Sequence, residues 1–122
     1  MPAVSRTVLV TNDEVQLATM LTDVGKQLGI SVVQIARSRL VARARADQPA
    51  LIVLDVSAAD GLETLSTLKN SLKTRDIPVV VVAETDDPEL RELALDVGAA
   101  GFISRPLPPD LGAKLFALMQ GS

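Results

Sequence analysis

Histidine, cysteine, tyrosine and tryptophan are all absent from the 122-residue chain. Without histidine or cysteine, the chain cannot form a Ser-His-Asp triad, a thiolate nucleophile or an ordinary zinc site. The only aromatic side chains are Phe102 and Phe116, which leaves little surface for stacking on single-stranded nucleic acid. Carboxylates, hydroxyls, Lys and Arg side chains and the backbone must therefore supply any chemistry.

Positive charge is also in the minority, because 12 Lys and Arg residues face 15 Asp and Glu residues and give a net charge of −3. This balance argues against a protein that binds the phosphate backbone of nucleic acids directly. The longest apolar runs, such as 79–83, are far shorter than a membrane span, and residues 1–10 lack a secretory signal. The absence of cysteine fits a reducing compartment, so we expect a cytoplasmic protein without membrane contact.

Five β-rich runs alternate with five helix-like runs along the chain. Strands are predicted at residues 7–10, 31–35, 51–54, 79–82 and 101–104. Helices are predicted at residues 14–28, 40–47, 62–72, 88–97 and 109–119. Continuous Val, Ile and Leu runs are typical of strands that are buried on both faces, and the strict alternation predicts a parallel sheet between two helical layers. No linker or repeat interrupts the pattern, so residues 1–122 are predicted to form one α/β domain.

Polar residues follow four of the predicted strands. Ligand sites in such sheets form beyond the carboxyl ends of the strands. The residues predicted at this edge are Asn12, Asp13 and Glu14 after the first strand, Asp55 after the third, Ala83 and Glu84 after the fourth, and Arg105 and Pro106 after the fifth. Glu84 is expected to face solvent, although an acid close to Asp55 would oppose an incoming anion.

Four segments at these positions resemble the receiver domain of bacterial response regulators. They are VLVTNDE (8–14), LIVLDV (51–56), IPVVVVAE (77–84) and DVGAAGFISRPL (96–107), in receiver-like order and separation over essentially the whole chain. The resemblance implies a flavodoxin-like, doubly wound five-stranded parallel sheet of order 2-1-3-4-5, flanked by five helices. It also implies a role in two-component signal transduction rather than an enzyme, with at most self-catalysed phosphotransfer.

The resemblance further implies that Asp55 accepts a phosphoryl group with the help of Mg²⁺. Asp13, Asp55 and the backbone carbonyl of Ser57 would bind the metal, and Asn12 would contact it through water. Arg105 would be the cation that contacts the phosphate. The phosphodonor would be a sensor histidine kinase or a phosphotransfer protein, and the signal would leave through the fourth helix, fifth strand and fifth helix, where a homodimer is also possible.

Several positions depart from the family's pattern. Asn12 replaces an acid and removes one negative charge near the metal. Ala83 stands at the position of the switch hydroxyl, so a hydrogen bond to a charged group, typically ~1.5–3 kcal/mol, is lost. Arg105 replaces a lysine and brings a larger, planar group. Phe102 retains the aromatic switch position, and Asp60 lies only five residues after the acceptor, which shortens the adjoining loop.

Two functional interpretations therefore stay open. The retained Asp13 and Asp55 favour a phosphoacceptor, whereas Asn12, Ala83 and Arg105 favour a pseudo-receiver that signals by binding alone. More modest roles also exist, because Asp55 could simply end a strand and Asp13 could cap the first helix. A nucleotide or flavin binder ranks below both, since no glycine-rich phosphate loop follows the first strand.

Overall fold

The computed structural model describes residues 7–11, 15–56, 61–105 and 110–120. Strands and helices alternate through these residues, as the sequence predicted. In chain order they are β1 (Thr7–Thr11), α1 (Val15–Leu28), β2 (Ser31–Ile35), α2 (Arg37–Asp47), β3 (Leu51–Asp55), α3 (Gly61–Lys69), β4 (Val79–Ala83), α4 (Pro88–Val97), β5 (Gly101–Ser104) and α5 (Leu111–Gln120).

The predicted ends were wrong at several elements. β1, β3 and β4 are each one residue longer than predicted, because Thr11, Asp55 and Ala83 still have partners on the neighbouring strands. α2 begins three residues earlier than predicted because the backbone is extended at Ala36 (φ −64°, ψ 139°) and turns helical directly after it. α5 begins at residue 111, after a turn at residue 110, rather than at residue 109, which lies outside the described residues.

α3 ends at Lys69 rather than at residue 72, because side chains in the following loop bind its last carbonyls. The Thr74 hydroxyl donates to the Leu68 carbonyl at 2.6 Å. The Lys69 ammonium donates to the carbonyls of Arg75 at 3.1 Å and Ile77 at 2.7 Å. These local bonds satisfy the backbone groups of the loop, which replaces the last predicted turn of helix.

α4 has the predicted bounds because both of its ends carry strong local signals. The Asp87 carboxylate accepts from the backbone N–H groups of Glu89 and Leu90, and Pro88 occupies the first turn. Gly98 ends the helix at a φ of 124°, a conformation that favours glycine. This capping fixes the helix that lies beside β5.

All five strands form one parallel sheet of order β2-β1-β3-β4-β5, which confirms the predicted topology. The register pairs Val10 with Val53, Asp55 with Val82, and Ala83 with Ser104. Because the strands are parallel, their carboxyl ends lie at the same edge, which we call the carboxyl edge. The opposite edge, which includes the loop 70–78, is called the amino edge.

Both faces of the sheet are covered by helices. α2, α3 and α4 cover one face, whose buried side chains include Leu9, Leu40, Ile52, Leu54, Leu65, Leu68, Val79 and Val81. α1 and α5 cover the other, whose buried side chains include Val8, Val10, Leu21, Leu51, Val53, Val80, Val82 and Leu115. None of the helices in the described ranges has the length and apolar character that crossing a membrane requires.

Candidate functional site

Asp55 is the last residue of β3, and its side chain lies at the carboxyl edge with only 8% of the residue exposed. Its backbone N–H donates to the Thr11 hydroxyl oxygen at 3.3 Å, and Thr11 is completely buried at the end of β1. The next amide, that of Val56, donates to the Val82 carbonyl at 2.9 Å. The backbone on both sides of the Asp55 carboxylate is therefore fixed by neighbouring strands.

The Thr11 contact was not predicted from the sequence. The signal was present, because a polar residue stands at the end of the otherwise apolar run Val8–Val10. Buried polar groups are almost always hydrogen-bonded, so a buried threonine directly before the polar loop needs a partner nearby. What the sequence could not provide was the identity of that partner, which lies 44 residues away.

Ala83 is the last residue of β4 and is buried between Asp55 and β5. Its carbonyl accepts from the backbone N–H of Arg105 at 3.2 Å. Its methyl side chain has no polar atom, so the position can offer no hydroxyl to an anion. Thr85, the next hydroxyl along the chain, is exposed in the loop after β4.

Arg105 follows β5 directly and forms an ion pair with Glu84, which follows β4. The Arg105 Nε and Glu84 Oε1 atoms are 3.4 Å apart. The Arg105 side chain is 25% exposed and the Glu84 side chain 69%. The expectation that Glu84 faces solvent is thus confirmed, but its carboxylate also contacts the cation predicted to bind phosphate, which the sequence reasoning missed.

Phe102 lies in β5 and packs against the face of the sheet covered by α2, α3 and α4. The Arg91 guanidinium of α4 lies 5.5 Å from the centre of the Phe102 ring. The same guanidinium forms an ion pair with Asp86 in the loop before α4. A cation over the face of an aromatic ring is attracted to it, so this contact favours one position of the Phe102 ring.

The start of α3 lies against the strand end that carries Asp55. A Cβ atom added to Gly61 would be 2.5 Å from the Val56 Cα and 2.9 Å from the Asp55 carbonyl oxygen. α3 begins at Gly61, one residue before the predicted start at residue 62. The close approach explains why glycine stands there, a reason that the sequence did not reveal.

The other predicted site residues lie outside the described residues. They are Asn12, Asp13 and Ser57, which were predicted to bind the metal, and Pro106, which follows the cation. Within residues 7–11, 15–56, 61–105 and 110–120, no three acidic side chains form a group that could hold a metal ion. Because Asp13 and Ser57 belong to the predicted ligand set, the magnesium site stays a prediction.

The geometry thus brings a buried carboxylate and a half-buried guanidinium to the same edge of the sheet. Asp55 ends β3 and Arg105 follows β5, and these strands are separated by β4 alone, so the two backbones are about two strand spacings, ~9–10 Å, apart. Between them lies Ala83, which has a small side chain. A carboxylate and a cation at the same edge of a sheet suit a reaction that places a small oxyanion on the carboxylate.

The family described as response regulator receiver domain matches residues 8–116 of the chain. The chain is 32% identical over 120 residues to the phosphate regulon transcriptional regulatory protein PhoB of Klebsiella pneumoniae, and the alignment covers 95% of the chain and 52% of that protein. The PhoB protein of Escherichia coli (strain K12) gives the same identity and coverage. The chain therefore spans about half the length of the curated relatives it matches.

Solved structures show the same fold at lower sequence identity. The BeF3-activated N-terminal receiver domain of Klebsiella pneumoniae RstA superposes with a TM-score of 0.78 at 21% identity, covering 94% of this chain and 99% of that one. A response regulator from Thermotoga maritima gives a TM-score of 0.81 at 17% identity, covering 95% and 98%. These likenesses establish the receiver architecture of the sheet and its helices.

Proposed function

Because the chain belongs to the response regulator receiver domain family, we propose that it accepts a phosphoryl group on Asp55 in a two-component phosphorelay. Receiver domains are generally signalling modules rather than enzymes. The observation that supports phosphorylation most directly is the position of Asp55, a buried carboxylate at the carboxyl end of the central strand β3. No catalytic turnover beyond self-catalysed phosphotransfer is proposed.

The proposed reaction is a direct transfer from the donor to the carboxylate. An Asp55 carboxylate oxygen attacks the phosphorus atom, the bond from phosphorus to the donor's nitrogen or oxygen breaks, and the electron pair of that bond leaves with the donor. The hydrogen bonds from the Asp55 and Val56 amides hold the strand end while this happens. Positioning of this kind lowers the entropic part of the barrier.

Mg²⁺ is the proposed metal, because the predicted donors are all hard oxygen atoms. The carboxylates of Asp13 and Asp55 and the carbonyl of Ser57 would hold it, and Asn12 would contact it through water. When bound, the metal would neutralise charge on the phosphoryl oxygens. The amide at Asn12 carries no negative charge, so metal affinity is expected to be lower than with two adjacent acids.

Arg105 is proposed to contact the phosphoryl group in place of the family's lysine. Its guanidinium offers paired donors that suit phosphate oxygens. Ala83 gives no hydrogen bond to that group, so the phosphoryl group is expected to shift the conformational equilibrium less than it would with a hydroxyl. The signalling face would comprise α4, β5 and α5, where Leu93 and Leu95 of α4 are 53% and 45% exposed. A homodimer could form through this face.

Response regulators interact with histidine kinases or phosphotransfer proteins. We therefore propose one of these as the phosphodonor for this chain, in the cytoplasm and without direct contact to nucleic acid. The chain spans about half of its curated relatives, which are named as transcriptional regulatory proteins.

The second candidate is a pseudo-receiver that signals by binding without phosphorylation. Two contacts favour it specifically. Arg105 already pairs with a carboxylate, that of Glu84, and the Phe102 ring is already contacted by Arg91. Arg105 and Phe102 thus have partners in the absence of a phosphoryl group, and Ala83 has no hydroxyl with which to bind one.

One experiment separates the two candidates. The protein is incubated with Mg²⁺ and a small acyl phosphate, or with beryllofluoride, and the product is measured by intact mass and by ¹H–¹⁵N spectra. A phosphoacceptor gains the mass of one phosphoryl group, and Asp55→Asn abolishes the gain. The matched control Asp96→Asn removes an exposed acid on α4 and should behave as wild type. Wild-type protein without adduct and without spectral change would leave the pseudo-receiver.

A further inference from the structure

The ion pair between Glu84 and Arg105 joins the ends of two adjacent strands. Ala83 is paired with Ser104 in the sheet, so the next residues, Glu84 and Arg105, leave their strands side by side. Their side chains meet at 3.4 Å between Nε and Oε1. The carboxylate of Glu84 thus forms an ion pair with a guanidinium from the edge where Asp55 lies.

We propose that Glu84 is an internal competitor for Arg105, and that it sets the affinity of the Asp55 site for phosphoryl groups and similar oxyanions. This inference rests on the proposed function, because it assigns a role to the same cation. A guanidinium binds carboxylate and phosphate oxygens through the same donors, so the two ligands exclude each other at a shared N–H group. The Glu84 carboxylate would therefore have to leave the Arg105 Nε–H before an oxyanion on Asp55 could bind that donor.

The other acids of the same loop have different partners. Asp86 forms an ion pair with Arg91, and Asp87 caps the first turn of α4. Glu84 is the acid of this group that turns towards Arg105. The contact is therefore a specific property of the residue after β4, rather than a general effect of an acidic loop.

The Glu84 carboxylate can be displaced from Arg105 at little cost in free energy. The Glu84 side chain is 69% exposed, so water can solvate its carboxylate as soon as it leaves Arg105. Exposed ion pairs contribute little to stability and are screened by salt. A phosphoryl group carries up to two negative charges and three acceptor oxygens, so it can displace a single carboxylate from the guanidinium. Glu84 then lowers the affinity for the oxyanion without preventing its binding.

The test compares Glu84→Gln with the matched control Glu92→Gln, which removes an equal charge from an exposed position on α4. Beryllofluoride is titrated into the Mg²⁺-loaded proteins, and binding is followed by ¹H–¹⁵N spectra. Glu84→Gln is expected to bind roughly two- to fivefold more tightly than wild type at low ionic strength, the size expected for an exposed ion pair. The gain should shrink at high salt, and Glu92→Gln should match wild type.

A second variant shows whether the effect passes through Arg105. In an Arg105→Gln background, Glu84→Gln should give no further gain, because the two residues then have no contact to exchange. The Arg105 Nε–H resonance of the wild type should also move when Glu84 is replaced. If Glu84→Gln raised the beryllofluoride affinity equally with and without Arg105, the effect would be a general one of charge, and the competitor role would be overturned.

The outcomes separate the two proposals. Binding by wild type that Glu84→Gln does not strengthen would overturn the competitor role and leave phosphorylation of Asp55 in place. Binding by Glu84→Gln alone would support the competitor role and show that it silences the wild-type site. Failure of every variant to bind, with an unchanged Arg105 resonance, would overturn both.

Discussion

The two edges of the sheet are held together in different ways. At the amino edge, hydrogen bonds of 2.6–2.8 Å link Thr74 to the Leu68 carbonyl, Lys69 to the Ile77 carbonyl, and Gln48 to the Lys73 carbonyl.

Among the described residues at the carboxyl edge, the Asp55 amide donates to the Thr11 hydroxyl oxygen at 3.3 Å, and the exposed Glu84 carboxylate forms an ion pair with Arg105 at 3.4 Å. Charged groups at this edge can change partners at low cost, whereas the carbonyls at the other edge have local donors that keep the loop 70–78 in place. We infer that the amino edge serves stability and that the carboxyl edge is free to serve chemistry.

Stability also depends on one residue near the carboxyl edge, Gly61, and replacing it is expected to lower the free energy of unfolding more than any other variant proposed below. Gly61→Ala would bring a Cβ atom to 2.5 Å from the Val56 Cα, and backbone must move to relieve the clash. We expect a loss of ~1–3 kcal/mol, or more, in the free energy of unfolding, measured with urea.

Gly101→Ala is the control for this substitution, since its added Cβ would meet its nearest neighbour at 3.8 Å, an ordinary contact. Gly101→Ala should lower the free energy of unfolding much less than Gly61→Ala. Equal stability of the two variants would mean that α3 does not lie as close to β3 as described.

A matched pair of threonine variants tests whether the two edges have different roles. Thr11→Val and Thr74→Val each remove a fully buried hydroxyl of the same kind at opposite edges. Each leaves a backbone group without its hydrogen-bond partner, so each should cost ~1–3 kcal/mol in the free energy of unfolding. Only Thr11→Val should also weaken beryllofluoride binding, because only Thr11 holds the Asp55 amide.

Thr11→Ser restores the hydroxyl and should recover the binding, even if some stability is lost with the methyl group. If Thr74→Val weakened beryllofluoride binding as much as Thr11→Val, the functional separation of the two edges would be wrong. Both quantities can be measured on the same samples, by urea unfolding and by spectral titration.

The smallest expected effect is a pH dependence at the amino edge. Burial lowers the pKa of the Lys69 ammonium, and the nearby Asp76 carboxylate partly opposes the shift. Between the lowered pKa and the ordinary value of ~10.4, the unfolded chain binds more protons at this residue than the folded protein. The contribution of Lys69 to the free energy of unfolding therefore rises with pH in that window.

The free energy of unfolding of wild type minus that of Lys69→Met should accordingly become more positive as the pH rises towards 10. Urea unfolding at several pH values gives this difference. A constant difference for Lys69→Met would contradict the burial of its ammonium.

Sequence patterns were sufficient for the architecture. Continuous apolar runs such as 51–54 and 79–82 identify buried parallel strands, and the residue after each run must then lie at the carboxyl edge. That reasoning placed Asp55 and Ala83 correctly at the ends of β3 and β4. It works because strand direction alone decides which edge a residue reaches.

Sequence patterns did not predict the contacts that side chains make with one another or with the backbone. The bond between Asp55 and Thr11 and the pair of Glu84 with Arg105 depend on register and rotamers, which local sequence does not determine. The early end of α3 was missed for a related reason, since Thr74 acts on a carbonyl six residues earlier. The role predicted for Asp13 in binding Mg²⁺ stays a prediction, because Asp13 lies outside the described residues.

The position of Gly61 restricts the routes by which a modified Asp55 can influence the rest of the domain. With its first turn seated against the main chain of β3, α3 has no clearance to advance towards the acceptor. Residues 84–89, on the other side, are all exposed and border solvent instead of packed backbone. If Asp55 is phosphorylated as proposed, we therefore expect the backbone to move in the exposed loop before α4 rather than at the start of α3.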